Sequence, residues 1–341
     1  MLKRKTPLYL LLVTVLLGSF LTFLITKSAY SKVSADSISE DQLSYAQNQY
    51  KVKRLGGYKF IRPLVTAKPM AEDERYAAIK QSIENYIEGF RNQGVLRTAS
   101  VYLRDFDQSG WIGVNDTDQY APGSLLKVPE LITYLKMEEE HPGILNKSVA
   151  FNQNFTSDKT AHIITKGIEF GKSYMIRQLL EYMIEYSDNN ATFILNQNID
   201  VAMFKKVFTD LGLAAPDWNS STYPISASGY SIFMEVLFNA SYLNIKDSEF
   251  AVNLLTKSDF SSGIVRGIPV ANLLIAHKFG ESGTNINREL HESALVYIND
   301  RPYLLTIMTR GNNDIELARL TQVIQGIANL VYNGLAGVSP A

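Results

Sequence analysis

The chain has 341 residues, 33 Lys and Arg against 34 Asp and Glu, no cysteine and 46% hydrophobic residues, a globular composition that argues against wholesale disorder or a polytopic membrane protein. A formal net charge of −1 supplies no basic surplus for nucleic acid. Without cysteine there is no disulfide, Cys-ligated metal or thiolate, so any nucleophile is an oxygen or an amine.

Charge is unevenly placed at the start. Lys3, Arg4 and Lys5 precede residues 7–26, a run without one charge and rich in Leu, Val, Ile and Phe. At about 1.5 Å per helical residue this run spans roughly 30 Å, the thickness of a bilayer's hydrocarbon core. The basic flank should stay cytoplasmic, so residues 1–26 are expected to form a cytoplasmic tip and a single-pass cell-membrane anchor, with everything after Lys27 extracytoplasmic. Val33-Ser34-Ala35 offers a cleavage site for the competing reading, a signal peptide, but the apolar run exceeds the roughly 7–15 residues usual for one. Residues 27–70 are polar and irregular, broken by Gly56-Gly57, and read as a stalk or linker.

From Ala71 the pattern becomes regular. Glu72, Asp73 and Glu74 suit a helix's first turn, and Tyr76, Ile79, Ile83, Tyr86, Ile87 and Phe90 follow at helical spacing. Residues 95–106 and 111–114 read as strands around the turn Asp107-Gln108-Ser109-Gly110. Residues 124–265 are mostly helical, with Glu138-Glu139-Glu140 as a solvated helix end. Three further strands are expected at 273–279, 293–298 and 303–309, with Asn299-Asp300 turning the last pair, before a closing helix at 314–331. Strands split by a helical insertion predict an α+β fold over residues 71–335. Its antiparallel five-stranded sheet is built from both chain ends, with flanking helices and an inserted all-α subdomain at about 120–265.

Three segments at the seams carry candidate chemistry. Ser124-Leu125-Leu126-Lys127 places a lysine three residues beyond a serine, within reach along a helix as a proton acceptor for the hydroxyl. A Ser-x-x-Lys arises by chance about once in a chain of this length, and a capping serine with a solvated lysine is the competing reading. Ser187-Asp188-Asn189 lies between two apolar helical runs; Ser187 can relay a proton and Asn189 can bind an amide, or Asp188 is simply a helix cap. His277-Lys278-Phe279-Gly280-Glu281-Ser282-Gly283 ends an apolar strand, with Lys278 a cation for a carboxylate, Gly280 room for a substrate backbone, and strand N–H groups for an oxyanion. An edge-strand lysine before a turn would look the same.

In this order, the three segments resemble the Ser-x-x-Lys, Ser-Asp-Asn and Lys-Thr-Gly signature of class A β-lactamases and the wider penicillin-recognising serine hydrolases. The resemblance covers about residues 71–333. It implies Ser124 as the acylated nucleophile, Lys127 as base or relay, Ser187 as proton shuttle, Asn189 as a ligand for the acylamide side chain, and Lys278 as holder of Ser187 and the substrate carboxylate. The backbone N–H groups of Ser124 and Glu281 would form the oxyanion hole. The implied partners are β-lactams or acyl-D-alanyl peptides. No nucleic acid, metal or cofactor is expected, since His141, His162, His277 and His291 lack metal-ligand spacing; a monomer is assumed.

Two departures from the pattern stand out. Phe279 replaces the hydroxyl residue of the third motif, with Ser282 or Thr284 as stand-ins for carboxylate binding. Between Asn196 and Glu235 there is no glutamate, whereas class A enzymes carry there the base for the deacylating water; Asp217 is the nearby acid. Slow deacylation is therefore expected. The alternatives are a D,D-peptidase of peptidoglycan peptides, favoured by the missing Glu and the anchor, and a catalytically silent binding protein, suggested by Phe279.

Overall fold

A computed structural model describes residues 50–153, 166–220, 223–284, 286–298 and 301–337; the expected anchor at 7–26 and the expected turn at Asn299-Asp300 lie outside them. Among the described residues no helix is long and apolar enough to cross a membrane.

Nearly half of the expected stalk, from Tyr50 on, is described and carries two strands. Tyr50–Arg54 (β1) and Leu64–Pro69 (β2) form a two-stranded sheet. Val65 lies in the core at 1% exposure, its carbonyl accepts from Ser241 Oγ at 2.7 Å, and Pro69 O accepts from the Trp111 indole at 2.8 Å. The polar composition of the stretch concealed the apolar contacts of Val65 and Leu55 with the core and the backbone acceptors beside them.

After a 3-10 turn capped by Asp73, Ala77–Asn92 forms α1. Its buried Ile79, Ile83 and Ile87 repeat every four residues, the spacing that lays side chains along one face. Leu96–Asp105 (β3) and Trp111–Val114 (β4) follow as the expected hairpin. Then comes the helical insertion. Lys127–Glu140 (α2) is followed by a small ribbon of Ser148–Ala150 (β5) and Ser173–Met175 (β6), and by Ile176–Glu185 (α3) and Asn189–Asn198 (α4). Val201–Asp210 (α5), Ala227–Phe238 (α6) and Ile245–Leu255 (α7) complete it. At the end of α2, Glu138 is not merely solvated: its carboxylate accepts from the N–H groups of Gly143 and Leu145 at 3.0 and 2.9 Å, closing the turn after the helix.

Leu274–Ser282 (β7), Glu289–Ile298 (β8) and Arg301–Gly311 (β9) return to the sheet, and Leu317–Gly337 (α8) closes the chain. The five strands run β4-β3-β9-β8-β7, every pairing antiparallel, the architecture expected from the split strand runs. Both faces are covered. Tyr102, Ala276, Leu295, Leu304 and Met308 point into the core shared with the helical insertion. Val101, Leu103, Ile275, Val296 and Ile307 point into a second core with α1 and α8. Period-two alternation in the middle of the sheet therefore divides side chains between two cores rather than between core and solvent. Gly326 lets α8 approach α1, since a Cβ there would lie 1.9 Å from Tyr86 Oη.

Candidate active site

The Ser124 segment is the 3-10 turn Gly123–Leu126, which runs straight into α2; the Lys127 N–H bonds back to the carbonyls of Ser124 and Leu125. Ser124 is partly exposed, whereas Lys127, three residues on, is buried at 3% exposure. That depth difference follows from the segment: the turn meets solvent while the helix it starts is buried from Lys127 to Leu135.

Ser187 sits just before α4 with a φ of 55°, a left-handed conformation of the kind that costs about 1–3 kcal/mol unless the surroundings impose it. Asp188 imposes it. Its side chain caps α4 by accepting from the N–H groups of Asn190 and Ala191, and it also accepts from Ile168 N at 2.6 Å. The capping reading of the triplet holds, and the residues on either side of the cap, Ser187 and Asn189, both bond Lys127. Lys127 Nζ donates to Ser187 O at 2.6 Å, Ser187 Oγ at 3.1 Å and Asn189 Oδ1 at 2.8 Å.

From β7, Lys278 Nζ reaches the same Ser187 Oγ at 2.9 Å and Phe279 O at 3.1 Å. One hydroxyl is therefore held between two lysines. Accepting from both, it keeps its own O–H for a third partner. Burial, followed by the charge of Lys127, pushes the Lys278 ammonium well below the usual lysine range, against the pull of Asp259 and Glu292.

The edge strand β7 closes the site against the Ser124 turn. A Cβ on Gly280 would lie 2.2 Å from Pro122 O and 2.9 Å from Leu125 N; one on Gly123, whose φ is 54°, would lie 2.1 Å from Glu281 O. Only glycine fits at either position. The space at Gly280 is filled by the protein's own Ser124 turn, where the sequence suggested a substrate backbone. The same approach brings the Glu281 backbone beside Gly123 and Ser124.

The stand-in hydroxyls are occupied elsewhere. Ser282 Oγ donates to Ala121 O at 2.7 Å and lies 3.3 Å from Glu289 Oε2, and Thr284 Oγ1 bonds Asn287 within its own turn. Ser282 is thus part of an anchor for the loop before Ser124, where a substrate contact was expected. Glu289 on β8 accepts from Ala121 N at 2.8 Å and from Arg310 Nε, Arg310 donates to Gln119 O at 2.7 Å, and the His291 ring meets Ala121 O at 3.1 Å. Phe279 points into the second core, stacked on Phe260 with ring centroids 4.3 Å apart. Asp217 is exposed, and its Oδ1 accepts from Asn219 N at 3.0 Å, the geometry of a turn residue. It lines a pocket of about 200 Å³ together with Leu126, Glu130, Asn196, Pro216 and Trp218.

Sequence reasoning missed Glu130, Asn196 and the Glu289–His291–Arg310 anchor. The signals were present: Glu130 is the sole charge in residues 128–135, and Glu289 and His291 stand two apart, on one face of their strand. Among the described residues no group of three or more His, Asp or Glu side chains is arranged to hold a metal ion.

The family model of the beta-lactamase enzyme family matches residues 78–335. The chain belongs to that family. No curated protein matches, but solved structures do. PBP-A aligns with a TM-score of 0.66 at 18% identity over 78% of this chain and 98% of its own. A beta-lactamase from Chitinophaga pinensis aligns at 0.65 and 18% over 76% and 99%, and one from Francisella tularensis at 0.63 and 20% over 76% and 100%. At these identities the likeness to solved structures is one of fold. Ser124, Lys127, Ser187, Asn189 and Lys278 all lie within the matched beta-lactamase span.

Proposed function

We propose that this beta-lactamase family member is a membrane-anchored, extracytoplasmic serine hydrolase that forms a seryl ester at Ser124 with β-lactams or D-alanyl peptides and releases it slowly. The observation that carries this reading is the Ser187 hydroxyl held between Lys127 and Lys278, with Ser124, partly exposed, three residues upstream of Lys127. Lys127, as the free amine, takes the Ser124 proton while Oγ bonds to the carbonyl carbon. The developing oxyanion rests on the backbone N–H groups of Ser124 and Glu281. As the C–N bond breaks, the nitrogen takes the Ser187 proton, which the Lys127 ammonium replaces; proton count is conserved through the step. Lys278 faces the substrate carboxylate, and the Asn189 amide binds the acyl side chain.

Slow release is supported by the absence of any glutamate between Asn196 and Glu235 and by the engagement of Asp217 in its own turn. A point mutant of PBP-A, a protein of this fold, was solved as an acyl-enzyme complex with penicillin G. The same absence favours cell-wall D-alanyl peptides over antibiotics as the physiological substrate. Intact-mass spectrometry after exposure to a labelled penicillin tests the reading: one covalent adduct is expected, lost in Ser124→Ala. No adduct with any β-lactam or acyl peptide would turn the reading toward a binding protein.

A further inference from the structure

Glu130 lies one helical turn beyond Lys127 and is 6% exposed, although the proposed chemistry gives it no task. Residues three apart on a helix are neighbours, with Cβ atoms about 5–6 Å apart. Its Oε1 receives only a long contact, 3.5 Å, from Asn196 Nδ2. Glu130 Oε2 and Asn196 Oδ1 are both buried and without a hydrogen-bond partner, and both residues line the 200 Å³ pocket. Two acceptor oxygens left over on a carboxylate and an amide that already touch through N–H···O form a complementary set once the carboxyl carries a proton: Oε2–H then donates to Asn196 Oδ1, completing a cyclic acid–amide pair. The groups that face Glu130 are Lys127 and Tyr134 from its own helix, Asn196 from α4, and Asp217 and Tyr223 across the pocket. Among these Lys127 is the cation.

We propose that Lys127 and Glu130 hold one proton between them, with Glu130 the neutral acid, paired to Asn196, whenever Lys127 is the free amine that takes the Ser124 proton. The inference rests on the reading that Ser124 is acylated. Glu130 is a positioning residue in this scheme: it touches no substrate and acts through the charge of Lys127. When Glu130 is ionised, its negative charge favours the ammonium and withdraws the base; when Glu130 is the acid, the amine is released without changing the total charge of the pair. Burial pushes the Glu130 carboxyl up to about 7, against the opposing pull of Lys127 and Asn196, so the exchange falls in the neutral range.

The test is the pH profile of Ser124 acylation by a fluorescent penicillin, measured on the full chain and on Glu130→Gln, which mimics the neutral acid. The two profiles should coincide below about pH 7, where both side chains are uncharged. Above it the unmodified chain should level off while Glu130→Gln keeps rising, becoming about tenfold faster for each pKa unit of coupling. Coincidence at every pH would overturn the proposal by showing no coupling, and a slower Glu130→Gln at every pH would overturn it by making the carboxylate itself the required group. A second measurement does not depend on acylation. The infrared carbonyl band of a protonated carboxyl should be present in the unmodified chain at pH 6, fade by pH 8, and be missing from Glu130→Gln and Glu130→Leu; its absence at pH 6 also overturns the proposal. A chain that takes no penicillin at any pH yet shows this band would overturn the acylation reading alone.

Discussion

Ser187 shows how a single residue acquires a role through its neighbours. Its left-handed backbone is held by the Asp188 cap, and its hydroxyl is oriented by two buried lysines. In the proposed reaction, Ser187→Ala takes away the proton donor to the leaving nitrogen while the cap remains; penicillin acylation is expected to slow by about 10²-fold or more with an unchanged far-ultraviolet circular dichroism spectrum. Glu130 supports a stability prediction as well. Burial raises its folded pKa above the ordinary carboxyl value of 4.5 to about 7, so the stability linked to its neutral form is fully present below the unfolded value and is lost as pH rises through 7. Glu130→Gln should therefore match the unmodified chain in unfolding free energy near pH 4 and exceed it at pH 8, by at most on the order of 3 kcal/mol, as read by denaturant titration. Glu289 behaves in the opposite sense. Burial alone would raise it, but hydrogen bonds from His291 and Arg310 hold it below the usual carboxylate range. Its contribution is present above the unfolded value and lost as pH falls through the lower folded one, so Glu289→Gln should destabilise at neutral pH and have little effect in strong acid.

At the scale of elements, β7 does two jobs on opposite faces. Lys278 points to the site, while Phe279 fills the second core against Phe260. Restoring a hydroxyl with Phe279→Thr should open a cavity that costs about 3 kcal/mol, read as a lower denaturant midpoint, without speeding penicillin acylation. Gly280→Ala should push the strand off the Ser124 turn and abolish acylation, since its Cβ would overlap Pro122 O. How much of this was legible in sequence depended on range. Ser124 with Lys127, and Ser187 with Asn189, are short local patterns, and Lys278 follows a readable strand; the convergence of Lys127 and Lys278 on the Ser187 hydroxyl is a product of topology. The Glu289 anchor joins residues 119–121, 282, 289, 291 and 310, and no local periodicity reports such a set. Glu130 was readable as an oddity, a carboxyl in an apolar run, but its pairing with Asn196 needed α4 folded onto α2.

For the whole molecule, antiparallel strands from both chain ends bracket the helical insertion, and the site lies where the two parts meet. That division was readable because strand and helix periods differ; the inward packing of β2 at Val65 was not, because a short polar stretch lacks a long apolar pattern. A chain beginning at residue 71 should melt several degrees below one beginning at residue 50, having lost the buried Val65 and the carbonyls that receive Ser241 and Trp111. The central claim is that Ser124 is acylated quickly and freed slowly. Its most direct test is a chromogenic β-lactam hydrolysis time course on the purified chain, calibrated by active-site titration. A burst of one product per Ser124 followed by a slow steady rate is expected, with the burst missing from Ser124→Ala; rapid linear turnover without a burst would show that release is not slow.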